Sequence, residues 1–441
     1  MSSNPQAAIL ERIRSSHAAV APRLPGGEAW RRRRADSLAR LVAHGLPTVR
    51  DESWRYAELR RILDAAAHEP AAAAHPPDAT LPSGDLFRDN APRLVLVDGV
   101  PQPVTGAALP AGLGITALAG MLEDGDTETA ERLRRPDNDA SDRLALLADA
   151  YTANGVAIHA GGASAAPATI HLLHLATPSL TSHTRVRIEL TAGADLTVIE
   201  HRLGAGGRQG FANLVVDLQI GRGATLRHLR ILEGSADDCR VDTVTAQLDE
   251  AGRYEHHHFD LSGGVGRTGL TVDLTGPGAT AEVHGLVLVD GGRRADLDAR
   301  IRHLAVSTTS RHIVRGVGAG PGQAGVSSRV VVVPGAQRSD SRQSLRNLLL
   351  TPGAEIDIRP QLEINADDVR CSHGATTGSL DPAQFFYLLS RGIDRPAAQA
   401  LLTFAFCEDV LAGLADTGRR RALEERVIAR LPDRDVIREF I

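Results

Sequence analysis

The sequence predicts a mainly β protein: a right-handed parallel β-helix core flanked by N-terminal and C-terminal helical regions. Three observations lead there. From Gly155 to about Thr377, apolar residues recur at every second position, as in HTRVRIELTAGADLTVIEHRL (183–203) and LTVDLTGPGATAEVHGLVL (270–288); this is the period of strands with one buried face. Tight glycine turns punctuate the strands at Gly193, Gly223, Gly252 and Gly278, spaced by 30, 29 and 26 residues, and Gly335 follows after 57, about two such periods. A repeat of that length marks rungs that bury a shared core only when stacked. At both ends the period changes to three and four, the spacing of one helix face.

Taken in order, residues 1–154 read as a helical or mixed region. Ile9, Ile13 and then Trp30, Leu38, Leu41 and Val42 keep helical spacing, and the Arg31–Arg34 run reads as a solvated helix face. Only 14 aromatic residues (2 Trp, 4 Tyr, 8 Phe) serve the whole chain, so Trp54 and Tyr56 read as packing anchors. An Ala- and Pro-rich stretch near 65–92 reads as a linker. Arg93 to Val97 is a short strand closed by Asp98-Gly99, and 115–152 turns helical with Leu144, Leu147 and Tyr151 on one stripe. The β-helix spans 155–377. In the helical end, 378–441, Asp381-Pro382 forms an N-cap and N1 pair, Gly392 closes that helix, and Asp394 opens a second with Leu401, Leu402, Ala405 and Val410 on its stripe. A third runs from about Arg419 to Leu431; Arg419–Arg421 near its start suit a partner or a solvated face.

Composition removes several functions. The net charge is −5 with both signs interspersed, which argues against nucleic-acid binding through charge. There is no run of 18 apolar residues and no apolar leader, and three cysteines make no disulfide framework, so a reduced, cytoplasmic protein with no membrane span is expected. All 49 basic residues are arginine. Without lysine there is no ordinary P-loop and no Schiff base.

The chemistry concentrates in 342–386. After the turn at Asp367-Asp368 comes Val369-Arg370-Cys371-Ser372-His373, and in a strand Val369, Cys371 and His373 share a face. A thiol beside an imidazole is half of a soft-metal site, with the other ligands still to be supplied. Asp367, Asp368 and Glu363 are positioned in sequence to orient the imidazole. The bland alternative is a buried cysteine beside a hydrogen-bonded histidine. Other signals are weaker. Gly264, Gly266 and Gly269 fit GxGxxG, but a strand follows where a dinucleotide site needs a helix. In His256-His257-His258, His256 and His258 share a face with Tyr254; the pair can hold a metal, yet the third ligand is a guess between His284 and His312, and a structural or surface role is the reading preferred. Cys407 reads as a small buried apolar group, and Cys239, after Asp237-Asp238, as a thiol raised by acidic neighbours.

The stretch PQLEINADDVRCSHGATTGSLDPAQFFYLLSRGI (360–393), with ADLDARIRHLAVSTTSRHIVRGV (295–317) and PGAQRSDSRQSLRNLLL (334–350), resembles the SufB/SufD family of SUF iron–sulfur cluster assembly scaffolds. Arg346 stands where the SufB branch carries cysteine, and His373-Gly374 where that branch has His-Glu, so the resemblance is to the SufD branch. It implies a non-catalytic scaffold that pairs with a SufB-type paralogue through the end of the β-helix. It also implies that a SufC-type ATPase binds the C-terminal helices; that the β-helix folds without them is a separate expectation. His373 is then the candidate iron or cluster ligand shared with the SufB-type subunit, and Cys371 a weaker one. The cluster is transient; a flavin in the complex and a homodimer of the isolated chain stay open. Two other classes compete: a β-helix polysaccharide-processing enzyme, which needs a carboxylate cluster and sugar-stacking aromatics, and a stand-alone metal-binding protein, which needs three converging ligands.

Overall fold

The computed structural model describes residues 5–70, 89–123, 143–161, 167–177, 180–204, 210–261, 263–431, 435 and 437. Most of the Ala- and Pro-rich stretch expected as a linker lies outside them. Three helices open the described chain: α1 (Pro5–Val20), α2 (Glu28–His44) and α3 (Leu59–Ala66). Then come β1 (Arg93–Val97), β2 (Val100–Pro101), β3 (Leu113–Ala117), α4 (Leu118–Glu123) and α5 (Arg143–Ala150). Residues 113–117, partly assigned to a helix from sequence, form a strand because they pair antiparallel with the first strand of the solenoid.

The solenoid consists of two parallel sheets that the chain visits alternately. One contains β4 (Asn154–Ala160), β6 (Thr181–Leu190), β8 (Phe211–Ile220), β10 (Cys239–Leu248), β12 (Val265–Leu274), β14 (Arg294–His303), β16 (Gln323–Val332) and β18 (Glu355–Ile364). The other contains β5 (Ala168–Ala176), β7 (Asp195–Gly204), β9 (Thr225–Glu233), β11 (Arg253–Asp260), β13 (Thr280–Val289), β15 (Thr309–Gly318), β17 (Asp340–Leu349) and β19 (Arg370–Gly378). The short strand at 93–97 extends this second sheet by pairing parallel with β5. Rung-to-rung turns rest on the glycines read from sequence: Gly193, Gly223, Gly278 and Gly335 have φ of +72°, +63°, +72° and +88°, where a Cβ is strained. At Gly252 the positive φ falls instead on Ala251.

Inward alternate residues of both sheets, such as Val198, Leu226, Val244, Val272 and Ile301, fill the space between them. The outer face of the second sheet is apolar as well. Leu229, Phe259, Leu286 and Val317 pack there against Phe404, Cys407, Val410 and Val427 of the C-terminal helices α6 (Pro382–Ser390), α7 (Arg395–Leu411) and α8 (Thr417–Ile428). Helices α7 and α8 thus form a layer against that sheet. Contact with this sheet also selects Ala400, Phe404, Cys407 and Val410 as the buried stripe of α7; Ala405 is exposed and Leu401 and Leu402 are half-buried. Asp381 and Asp394 cap α6 and α7, accepting from Ala383 N and Ala397 N at 2.8 Å each.

The N-terminal part lies on the outer face of the first sheet. Trp54 is buried with the Arg267 guanidinium 4.0 Å from its ring centroid, and Tyr56 lies over Gly325, where a Cβ would collide with it. The Arg31–Arg34 run is only half solvated. Arg31 and Arg32 are exposed, but Arg34 is buried, donating to Thr152 O at 2.9 Å, and Arg33 pairs with Asp149. A guanidinium with several fixed donors can close a junction by bonding backbone carbonyls, which helical periodicity does not reveal. Arg419 and Arg420 likewise serve the fold, reaching Asp89 and Glu408, while Arg421 is exposed. No helix among the described residues is long and apolar enough to cross a membrane.

Candidate functional site

Cys371 and His373 lie on β19, the last strand of its sheet. In-register pairing sets Cys371 beside Ser341 and His373 beside Gln343 on β17. Among the described residues no strand covers the far edge of β19 or of β18. Cys371 is half-buried against the inward apolar core, so the face it shares with His373 is the lumenal one. Because no further rung covers it among the described residues, His373 is exposed at the open end of the solenoid. Partial burial pushes the Cys371 thiol up; a backbone hydrogen bond from Ser341 opposes this and Asp340 adds to it.

Each residue continues a column down the lumen. Beneath His373 stand Gln343, His312, Val283, His256, His228 and Val198, one per rung. His312 Nδ1 is 2.6 Å from Ser328 Oγ, and the Gln343 side-chain amide donates to Gln361 O at 3.3 Å. Beneath Cys371 stand Ser341 and Ser310, whose hydroxyls are 2.8 Å apart, and Ser310 meets His303 Nε2 at 2.9 Å. Burial pulls the His303 imidazole down to about 4, so it is neutral at pH 7. Sequence reasoning missed Gln343 and Ser341, and named His312 only as a possible partner of His256 and His258, not as a neighbour of the terminal strand. Their signal was the repeat itself, since Gln343 and His312 precede His373 by 30 and 61 residues, one and two rungs.

Other expected residues fall elsewhere. Among the described residues no hydrogen bond or ion pair joins His373 to Glu363, Asp367 or Asp368; the Asp368 amide bonds Gln337 Oε1 instead. The three consecutive histidines are all buried, which excludes the surface half of the earlier reading. Tyr254 Oη bridges His256 Nδ1 at 3.0 Å and His228 Nδ1 at 3.1 Å, while His257 faces outward and stacks on His284 at 4.8 Å. Gly264 has φ +68°, and a side chain at Gly266 would strike the Arg240 guanidinium, so these glycines serve rung packing. Cys239 and Cys407 are buried with thiols pushed up to about 12; for Cys239 burial outweighs the acidic neighbour invoked from sequence. Arg346 is exposed. Among the described residues no three His, Cys, Asp or Glu side chains gather as a metal site.

Comparison with known proteins addresses the same region. A family profile described as the SufBD core domain of SUF-system FeS cluster assembly matches residues 174–406, more than half of the 441. The chain is 28% identical over 405 residues, 90% of its length and 92% of the relative's, to the iron–sulfur cluster assembly protein SufD of Escherichia coli strain K12. It is 31% identical over 205 residues, 46% of this chain and 44% of the other, to an iron–sulfur cluster assembly SufBD family protein of Synechocystis. Over 233 residues, 52% of this chain and 49% of the other, it is 29% identical to the chloroplastic protein ABCI7 of Arabidopsis thaliana. With a stacked-rung core and a matching profile across β5 to α7, the chain belongs to the SufBD family of iron–sulfur cluster assembly proteins.

Proposed function

We propose that the chain is a non-catalytic scaffold subunit which presents the open end of its solenoid to a SufB-type paralogue and offers His373 as a ligand to iron or a nascent cluster held between them. One observation carries this reading: His373 is exposed on the lumenal face of the terminal strand, beside the half-buried Cys371. The uncovered edges of β18 and β19 expose backbone donors and acceptors suited to strand addition by a second chain. Successive same-face Cα atoms in a strand lie about 7 Å apart, so one cluster can span both side chains. Two ligands leave iron incompletely coordinated, and the partner chain supplies the rest. Iron and sulfide are cargo here and this chain's share is positional: an imidazole nitrogen, held at the rim by β17, that receives the metal.

A SufC-type ATPase docks on the C-terminal layer. Helix α6 buries none of its residues, and Phe386 and Tyr387 are 71% and 55% exposed. The test is co-expression with SufB-type and SufC-type subunits, followed by iron and sulfide analysis of the purified complex. Assembly without iron dependent on His373 rejects the ligand role; failure to co-purify rejects the scaffold role.

A further inference from the structure

A second polar site lies far from the terminal rung, where a side recess enters the lumen between β5, β7, β8 and β10. The recess spans about 730 Å³ with the open solvent at its mouth included, and His174, Arg202 and Arg240 line it. All three are more than nine-tenths buried. They belong to a lumenal charge cluster in which Arg202, Arg230 and Arg240 meet Glu200, Asp242 and Asp260.

The carboxylates are unevenly shared. Glu200 takes Arg230 through both oxygens at 3.0 Å and accepts from His228 at 2.9 Å. Asp260 binds Arg240. Asp242 is contacted by all three guanidinium groups, and among the described residues it is the one carboxylate that Arg202 reaches. Arg202 thus shares its carboxylate with two other guanidinium groups, and it lines the recess. Burial first, then Arg240 and Arg230, pull its guanidinium down to about 9 against the opposing pull of Glu200 and Asp238. His174 also lines the recess, and its Nε2 makes no hydrogen bond, with Glu200 Oε1 3.5 Å away. A buried imidazole nitrogen without a partner costs free energy unless something in the space before it accepts or donates. The carboxylates at the mouth are already bonded: Asp98 to Thr177, Asp238 to Ser235, and Glu233 to His201 and Arg426. The glycine at 266, in register with Arg240, leaves its guanidinium room that a side chain would take.

We propose that this recess binds a small oxyanion, held by Arg202 and Arg240 with His174 as a third polar contact. A planar guanidinium at the base of a recess binds an oxyanion bidentately, and exclusion of water strengthens the bond. The recess shares no lining residue with the terminal strand that carries Cys371 and His373.

Isothermal titration of the full chain in chloride buffer, with inorganic phosphate and separately with citrate, tests it. The expected result is saturable binding of at least one probe with a dissociation constant below about 1 mM. Arg202→Gln then weakens binding about tenfold or more. Should that variant fail to fold, Ala212→Phe, which fills the recess from its wall, replaces it and is expected to abolish binding. No saturable binding of either probe, or binding unchanged in a folded Arg202→Gln or Ala212→Phe chain, overturns the proposal.

Discussion

Gln343 stands one rung beneath His373 in the same lumenal column, and its buried Oε1 has no hydrogen-bond partner. The terminal histidine thus continues a polar seam that includes His312, whose Nε2 is also unpartnered. That seam leads to the open end and not to the solvated outer face.

The exposure of His373 separates a ligand role from a structural one. His373→Ala is expected to shift stability by less than about 1 kcal/mol, as for a surface substitution. Assembly persists while the complex loses iron. Melting temperature and iron content measured on one preparation decide it, and full iron content with unchanged melting would falsify the ligand assignment.

The three thiols are expected to react very differently. Cys239 and Cys407 are sealed and pushed up to about 12, whereas Cys371 is half-buried. Alkylation of the native chain with iodoacetamide at pH 8, mapped by mass spectrometry, should modify Cys371 alone. Modification of Cys407 at a comparable rate contradicts the packing of α7.

Phe259 is fully buried between the outer face of the second sheet and the C-terminal helices. Phe259→Ala is predicted to cost about 3–5 kcal/mol, read from urea unfolding. A cost below about 1 kcal/mol means the helical layer does not pack as described.

On α6, Phe386 is exposed without a role in the fold. Phe386→Asp should leave urea unfolding within about 0.5 kcal/mol of the parent. It should sharply weaken capture of a SufC-type ATPase in a pull-down. Capture at parental affinity removes α6 from the docking surface.

Acid should weaken the fold through the outward histidine pair. Burial first, then His284, pulls His257 down to about 3, and burial lowers His284 against the opposing pull of Glu282 and Glu255. Unfolded histidine titrates near 6.5, so between that pH and about 3 the unfolded chain binds protons that the folded chain refuses. Stability is then full above about pH 6.5 and falls as the pH falls, by up to about 1.4 kcal/mol per pH unit for each such histidine. Urea midpoints at pH 7.5, 6.5 and 5.5 measure the slope, which His257→Leu should flatten. A slope left unchanged by that substitution removes His257 from the titration.

How much was legible in the sequence follows from how far each cause reaches along the chain. Strand alternation, the glycine turns and the caps at Asp381 and Asp394 depend on φ, ψ and bonds within a few residues, so the solenoid and its helical ends could be read directly. So could the shared face of Cys371 and His373, because that needs only the period of two. Which way that face points could not, since polar residues stand on both faces of β19 and only the stacking of β17 decides it. The burial of Arg34, the lumenal cluster around Asp242 and the burial of His256 and His257 were hidden for the same reason. A polar side chain is stable in the interior only when distant groups bring it partners. Those partners, Thr152 for Arg34 and Glu200 for Arg230, are joined by rung stacking and domain packing, not by neighbourhood in the chain.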